Sequence, residues 1–119
     1  MATRTAAITE IKGFGEFAHQ IQWTGLLNGD DGSPIAMPGH VFRSVQFTGT
    51  FGAGGTIQIE GSNDGTNYVV LTDFQGNNIS KTAAALEGVQ ELTYYIRPRV
   101  TAGDGTTDLV ATLVMRRGV

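Results

Sequence analysis

The chain has 119 residues, a formal net charge of −3, 40% hydrophobic residues and 16% charged residues. This length suits one small domain, and the negative charge disfavours general binding of nucleic acid, which needs clustered Lys and Arg. Since there is no cysteine, disulfides and thiolate metal sites are excluded. No signal peptide or membrane span is expected, because no apolar run approaches about 18 residues.

Seventeen glycines and three prolines separate short segments in which apolar and polar residues alternate. This composition predicts an all-β protein whose strands are joined by tight turns. In chain order, a weak strand pattern covers residues 6–12 and a clearer one covers 16–24. In the second pattern the apolar parity holds four side chains, Phe17, His19, Ile21 and Trp23. The polar segment 28–34 predicts a loop.

The clearest alternation covers residues 41–51 and resumes over 57–60. The turn between them, Gly52-Ala53-Gly54-Gly55, contains residues that tolerate positive φ, so we predict a hairpin here. The turn signal Asn63-Asp64-Gly65 precedes an apolar run over 68–72, which predicts a second hairpin.

A third hairpin is predicted from alternation over 92–100 and 109–115, with a turn at 102–105 between them. In this prediction Tyr94 shares the buried parity with Ile96 and Val100. Because proline cannot donate to a ladder, Pro98 predicts that the segment around it lies at a sheet edge or leaves the sheet.

The segment Lys81 to Gln90 has the only helix-favouring composition, and it is too short to be stable alone. We predict a loop there with at most one helical turn. The other segments amount to seven to eight mostly antiparallel strands. They predict a β-sandwich of immunoglobulin-like or jelly-roll type in a single domain, residues 1–119, in which residues 1–15 could form an extended N-terminal arm.

Candidates for catalytic chemistry are few. His19 and His40 could serve as bases for one of four serines, Ser33, Ser44, Ser62 and Ser80, but no motif frames any of them. His19 lies on the apolar parity of its strand, which favours a packed or half-buried side chain, and His40 is expected in a loop. The chain is therefore predicted to be no enzyme.

Oxygen ligands for calcium are concentrated in two glycine-containing loops, at Asn28, Asp30 and Asp31 and at Asn63 and Asp64. The EF-hand spacing is absent, and such clusters are typical of turns, so no metal is predicted. The glycine runs at 13–15 and 52–55 lack the strand-to-helix setting and the Lys-Ser/Thr of phosphate loops. We predict turns at both runs and no bound cofactor.

A contact patch is predicted where Tyr95, Arg97 and Arg99 share the polar parity, because aromatic residues and Arg are enriched in protein interfaces. Sugar binding through exposed aromatic rings is the alternative, although Trp23 and Tyr94 lie on the apolar parity and are expected in the core.

The last strand is apolar on both parities, since Val110 and Val114 oppose four other apolar residues, Leu109, Ala111, Leu113 and Met115. Either both of its faces are buried, or one face meets another subunit. Arg116 and Arg117 follow at the end of this strand, and we predict that they lie near a subunit boundary.

Four motifs between Val45 and Arg117 support a family resemblance, namely Gly61-Ser62-Asn63-Asp64-Gly65-Thr66-Asn67-Tyr68, Leu71-Thr72-Asp73, Tyr95-Ile96-Arg97-Pro98-Arg99 and Asp104-Gly105-Thr106. On these the chain resembles small β-sandwich structural proteins of tailed bacteriophages, of the capsid decoration or cement type. The resemblance covers about two-thirds of the chain, and the first 40 residues contain none of the shared motifs.

The resemblance implies a virion protein on the capsid surface that binds the major capsid protein lattice, stabilises it and forms a homotrimer. It implies neither nucleic acid nor membrane as a partner. A phage head-fibre, tail or baseplate component and a carbohydrate-binding module are the alternatives.

Overall fold

The computed structural model describes residues 1–11 and 18–117, which form twelve β-strands in two packed sheets. The strands are β1 (Thr3–Arg4), β2 (Ala7–Glu10), β3 (Ala18–Leu26), β4 (Asp31–Gly32), β5 (Ile35–Ala36), β6 (Phe42–Thr50), β7 (Thr56–Ser62), β8 (Val69–Val70), β9 (Ser80–Lys81), β10 (Ala85–Gly88), β11 (Tyr95–Ala102) and β12 (Asp108–Arg116). The predicted all-β sandwich is confirmed. Seven of these strands have four or more residues, and of the five two-residue strands only β8 falls in a segment that the sequence predicted as a strand.

One sheet contains five strands in the order β10-β6-β12-β3-β2. The other contains seven, in the order β1-β4-β11-β7-β8, with β5 also beside β11 and β9 also beside β7. Among the described strands, every pairing is antiparallel except that of β1 with β4. Residues 1–11 thus add a short strand to each sheet, and none of the described residues forms a helix suited to crossing a membrane.

The predicted strands over 6–12 and 16–24 correspond to β2 and β3. Residues 12–17 are outside the described part of the chain. The predicted turn at Gly13-Phe14-Gly15 and the beginning of the 16–24 strand, with Phe17, fall on those residues.

The core lies between the sheets and is filled by the inward side chains of alternating positions. Trp23 of β3 is fully buried and its Nε1 donates to the carbonyl of Ser33 at 3.0 Å. Gly32 permits this approach, because a Cβ there would lie 2.6 Å from both the indole Cδ1 of Trp23 and Cδ of Pro98. The tryptophan of one sheet is therefore held against a glycine of the other.

Two of the three predicted hairpins are wrong. β6 and β7 lie in different sheets, as do β11 and β12, so each of these turns crosses the sandwich. The expected positive φ does occur, at Gly52 (70°) and Gly54 (71°). The Asp104 carboxylate joins the two crossing turns by accepting the amide hydrogen of Ala53 at 3.0 Å. The second predicted hairpin is confirmed, since β7 pairs antiparallel with β8.

The predicted loop over 81–90 is also wrong in part, because β10 occupies its centre and pairs with β6. Sheet hydrogen bonds outweigh the weak helical preference of this alanine-rich segment. The structure also corrects the placement of Tyr94, which precedes β11 and is 49% exposed, because the strand begins one residue later.

Pro98 lies inside β11 and is buried, in contrast to its predicted place at an edge. The amide of Val100 donates to the carbonyl of Asp30, on the side of β4, at 2.8 Å. Since alternate residues direct their nitrogens to the same side, the nitrogen of Pro98 faces the break between β4 and β5. The sheet therefore loses no ladder hydrogen bond there.

Candidate interaction surfaces

The five residues predicted to contact a partner lie on two different faces of the sandwich. Tyr95, Arg97 and Arg99 lie on β11, on the outer face of the seven-stranded sheet. Arg116 lies at the end of β12 on the outer face of the five-stranded sheet, and Arg117 follows it directly. The structure therefore divides the set into a group of three and a group of two.

The arginines of β11 converge on a buried carboxylate of the neighbouring strand β7. Glu60 is 2% exposed and its Oε1 accepts a hydrogen bond from Nε of Arg97 at 3.1 Å. Nη1 of Arg99 lies 3.6 Å from the other oxygen of Glu60, and Nη1 of Arg97 lies 3.5 Å from Asp31. Two cations thus face two anions, and the cluster neutralises its own charge.

Tyr68 covers this ion-pair cluster. The guanidinium of Arg97 lies 3.8 Å from the centroid of its ring, which is the geometry of a cation–π contact. Burial raises the pKa of the Tyr68 hydroxyl. Arg97 is therefore bound on its edges by carboxylates and on its face by a ring, and this patch is better suited to rigid support of the sheet than to capture of an anion.

Asp30 extends the polar cluster to the N-terminal residues. It accepts hydrogen bonds from the amides of Ala2 at 2.8 Å and Leu27 at 3.0 Å, and it pairs with Arg4 at 3.0 Å. Burial alone would raise the pKa of Asp30, but these donors outweigh it and lower the pKa. A carboxylate already bound by these donors is a poor calcium ligand.

The second candidate calcium loop is closed in the same way. Asp64 accepts hydrogen bonds from the backbone of Asn67 and Thr66, each at 2.8 Å, and from the hydroxyl of Ser62 at 2.8 Å. These hydrogen bonds, above all those from Asn67, hold the pKa of Asp64 well below its ordinary value. Among residues 1–11 and 18–117, no three His, Asp or Glu side chains are grouped as metal ligands would be.

His19 is half-buried, as its parity predicted, and its Nδ1 lies 3.1 Å from Nε2 of His40 in the loop after β5. The carbonyl of His40 also accepts a hydrogen bond from Nε of Arg43 at 2.9 Å. The two histidines and this arginine are thus packed together at one end of the sandwich.

The outer face of the five-stranded sheet, here called the open face, is very different. Since Leu113 and Met115 of β12 are buried, the alternate residues Thr112 and Val114 face outward, together with their cross-strand partners. Two rows cross all five strands, Gly88-Ser44-Val114-Gln20-Thr9 and Leu86-Gln46-Thr112-Gln22-Ala7. Neither row contains a charged residue.

Val114 excludes the first of the two alternatives for the last strand, burial on both faces, since it lies on the open face and is 36% exposed. In this chain β12 is therefore buried on one face only. Between its charged ends, Asp108 and Arg116, the outward side of β12 presents only the uncharged residues Val110, Thr112 and Val114. An uncharged stretch of this kind is suited to contact with another subunit.

A groove of about 440 Å³ lies at one end of the open face. Its exposed apolar residues are Phe42 at the start of β6 and Phe74 in the loop before β9, with Val41 and Val114 beside them. The guanidinium of Arg116 lies 4.7 Å from the ring centroid of Phe42. The sequence did contain a signal for Phe42, which shares the polar parity of its strand with Ser44, but none for Phe74.

Comparison with known proteins identifies structures with a similar fold but assigns no function. No protein-family model matches the sequence, and no curated protein sequence is significantly similar to it. Among solved structures, the SPBc2 prophage-derived protein YomS is similar, with a TM-score of 0.62, 10% identity, and coverage of 82% of this chain and 93% of that one.

Two further structures are similar at lower TM-scores. Peruvianin-I, a cysteine peptidase from Thevetia peruviana latex, has a TM-score of 0.47 and 12% identity over 94% of this chain and 61% of that one. A carbohydrate-binding module of Cellvibrio mixtus lichenase 5A, solved with cellotriose, has a TM-score of 0.36 and 12% identity over 96% and 86%. The chain therefore shares its β-sandwich with the prophage-derived protein.

Proposed function

We propose that this chain is a bacteriophage virion structural protein of the capsid decoration or cement type, and not an enzyme. In this proposal it lies on the capsid surface, binds the major capsid protein lattice and stabilises it. The observation that supports the proposal is the open face, where two cross-strand rows, centred on Val114 and Thr112 of β12, contain no charged residue.

The open face has dimensions appropriate to a protein interface. Three strands of nine residues and two of four, at about 3.3 Å per residue and about 4.8 Å between strands, give about 550 Å². A standard interface buries about 800 Å² on each partner, so a single contact would be of modest strength. Repetition on a lattice compensates for this, because many identical contacts act together when the proteins are linked as oligomers.

The chemistry of the face favours a protein over a sugar as its partner. Sugar rings stack on exposed aromatic side chains, and neither cross-strand row contains one. The exposed rings of this face, Phe42 and Phe74, are confined to the groove at its end. The exposed ring of Tyr94 lies 4.8 Å, between centroids, from the half-buried ring of Tyr95, which belongs to the other sheet. Amide and hydroxyl groups such as Gln22 and Thr112, which are 3.1 Å apart, can form hydrogen bonds with a partner without the cost of burying a charge.

The phage assignment is supported by the sequence motifs and by the sandwich shared with a prophage-derived protein. The proposal includes self-association as a homotrimer that leaves the open faces available to the lattice. Light scattering should then give three times the chain mass of 12.6 kDa.

The proposal is tested by sedimenting the purified protein with capsid shells, with isolated tails, or with neither, while a glycan array is probed in parallel. We expect saturable binding at high copy number to shells and no binding to tails or glycans. Binding to tails alone would favour a tail or baseplate component, and binding to glycans alone would favour a carbohydrate-binding module. Either result would overturn the proposal.

A further inference from the structure

The groove at the end of the open face has fixed apolar walls. Phe42 is 53% exposed and Phe74 is 70% exposed, which is unusual for rings this large on a monomeric surface. Phe74 lies over the sheet at Gly88, where a Cβ would overlap the ring. The absence of a side chain at position 88 therefore lets the ring of Phe74 form one wall.

Among the described residues, the charged groups that line the groove are two arginines. Arg116 contacts Phe42 and forms no ion pair within residues 1–11 and 18–117. Arg43 also lines the groove, is 5% exposed, and uses Nε and Nη2 to bind backbone carbonyls at 2.9 and 3.1 Å. In the part of the chain that the structure describes, its Nη1 has no hydrogen-bond partner and no acidic residue lines the groove.

We propose that this groove binds an acidic peptide segment that contains an aromatic or branched aliphatic side chain, supplied by the partner protein. The apolar side chain occupies the space between Phe42 and Phe74, and a neighbouring carboxylate pairs with Arg116. The inference rests on the proposed function in one respect, since it takes the capsid lattice as the source of the segment.

Charge complementarity selects this occupant over a purely apolar one. An apolar segment would cover the walls but would remove water from the Arg116 guanidinium without supplying an acceptor, and such desolvation is costly. A carboxylate supplies the acceptor and forms a charge-assisted hydrogen bond, about twice as strong as a neutral one. The volume of about 440 Å³ is within the usual range of ligand sites, roughly 300 to 1,000 Å³.

The test uses two blocked pentapeptides, Gly-Asp-Phe-Asp-Gly and its neutral counterpart Gly-Asn-Phe-Asn-Gly, titrated into ¹⁵N-labelled protein up to about 5 mM. We expect the acidic peptide to shift the amide resonances of Phe42, Phe74 and Gly88. The neutral peptide and the variant Arg116→Gln should each weaken binding about fivefold or more. The control Lys81→Gln, which removes one positive charge outside the groove, should leave the affinity unchanged.

Three results would overturn the inference: equal binding of the two peptides, no shifts at the groove at any peptide concentration, or groove shifts that depend on protein concentration alone. The last would mean that a second copy of the chain occupies the groove. Sedimentation of Arg116→Glu with capsid shells separates the two proposals. Unchanged shell binding would refute only the assignment of the groove. If the protein binds the peptide but does not bind shells, only the capsid lattice as the source of the segment is refuted.

Discussion

The substitution Glu60→Gln removes the charge of a buried carboxylate that two arginines share, while it keeps the size of the side chain. Arg97 donates to Glu60 at 3.1 Å, and a charge-assisted hydrogen bond of this kind contributes about 1.5 to 3 kcal/mol. The side chain of Arg99 is 49% exposed and lies 3.6 Å away, so its pairing contributes at most about 1 kcal/mol. The expected loss in the free energy of unfolding is therefore about 1.5 to 4 kcal/mol.

This loss is measurable by guanidinium denaturation followed through the fluorescence of Trp23, the single tryptophan, which is fully buried. Glu87→Gln is the matched control. It removes a carboxylate paired with Lys81 at 2.8 Å, but both side chains are about one quarter exposed, so we expect a loss below about 1 kcal/mol. If Glu60→Gln costs no more than Glu87→Gln, the β11 arginines are not held by a buried carboxylate and the account of that face is wrong.

Three further predictions concern stability. Gly32→Ala should destabilise the protein by about 2 kcal/mol or more, because the added methyl overlaps the adjacent indole and proline rings. The control Gly39→Ala, which has open space around it, should cost less than about 1 kcal/mol. Equal urea midpoints for the two variants would contradict the close packing around Gly32. The pKa of the Asp104 carboxyl is lowered to about 2 from an ordinary value near 3.8, chiefly by the hydrogen bond from the threonine hydroxyl two residues later. The contribution of Asp104 to stability is therefore fully present above pH 4 and is lost as the pH falls through 2. Asp104→Asn should flatten the acid side of a stability profile, and an unchanged profile would exclude this role. Leu113→Ala should cost about 2 to 5 kcal/mol and Val114→Ala less than about 1 kcal/mol in urea titrations, because only the first is fully buried; similar costs would refute the assignment of the two faces.

Local pattern was sufficient for most strands but not for their pairing. Alternation located Val45 and Phe47 in the core, and the glycine signal located the turn with positive φ at Gly52 and Gly54. A tight turn between two strands looks the same in sequence whether the second strand returns beside the first or crosses to the opposite sheet. Only distant partners, here β12 for β6 and β11 for β7, decide between the two.

The candidate site was predictable in the same limited way. Parity correctly placed Arg97 and Arg99 on an outer face, but their carboxylate partner is 37 residues from Arg97 in sequence, and no local signal connects them. Phe74 is part of the groove because Gly88 lies beside it, which again depends on a distant contact. The sequence was sufficient to assign strand residues to one face or the other. Which of these residues lie together in one binding surface could be seen only in the folded structure.

The central claim is that the open face binds the capsid lattice, and the affinity of capsid shells for two charge variants tests it most directly. Gln46→Lys introduces a charge into one of the two uncharged cross-strand rows, and Thr101→Lys introduces the same charge at an exposed position of the opposite sheet. We predict that Gln46→Lys weakens shell binding at least about tenfold, because an unpaired charge must be buried, and that Thr101→Lys binds like the wild type. Equal affinities for the two variants, or a loss for Thr101→Lys alone, would contradict the account.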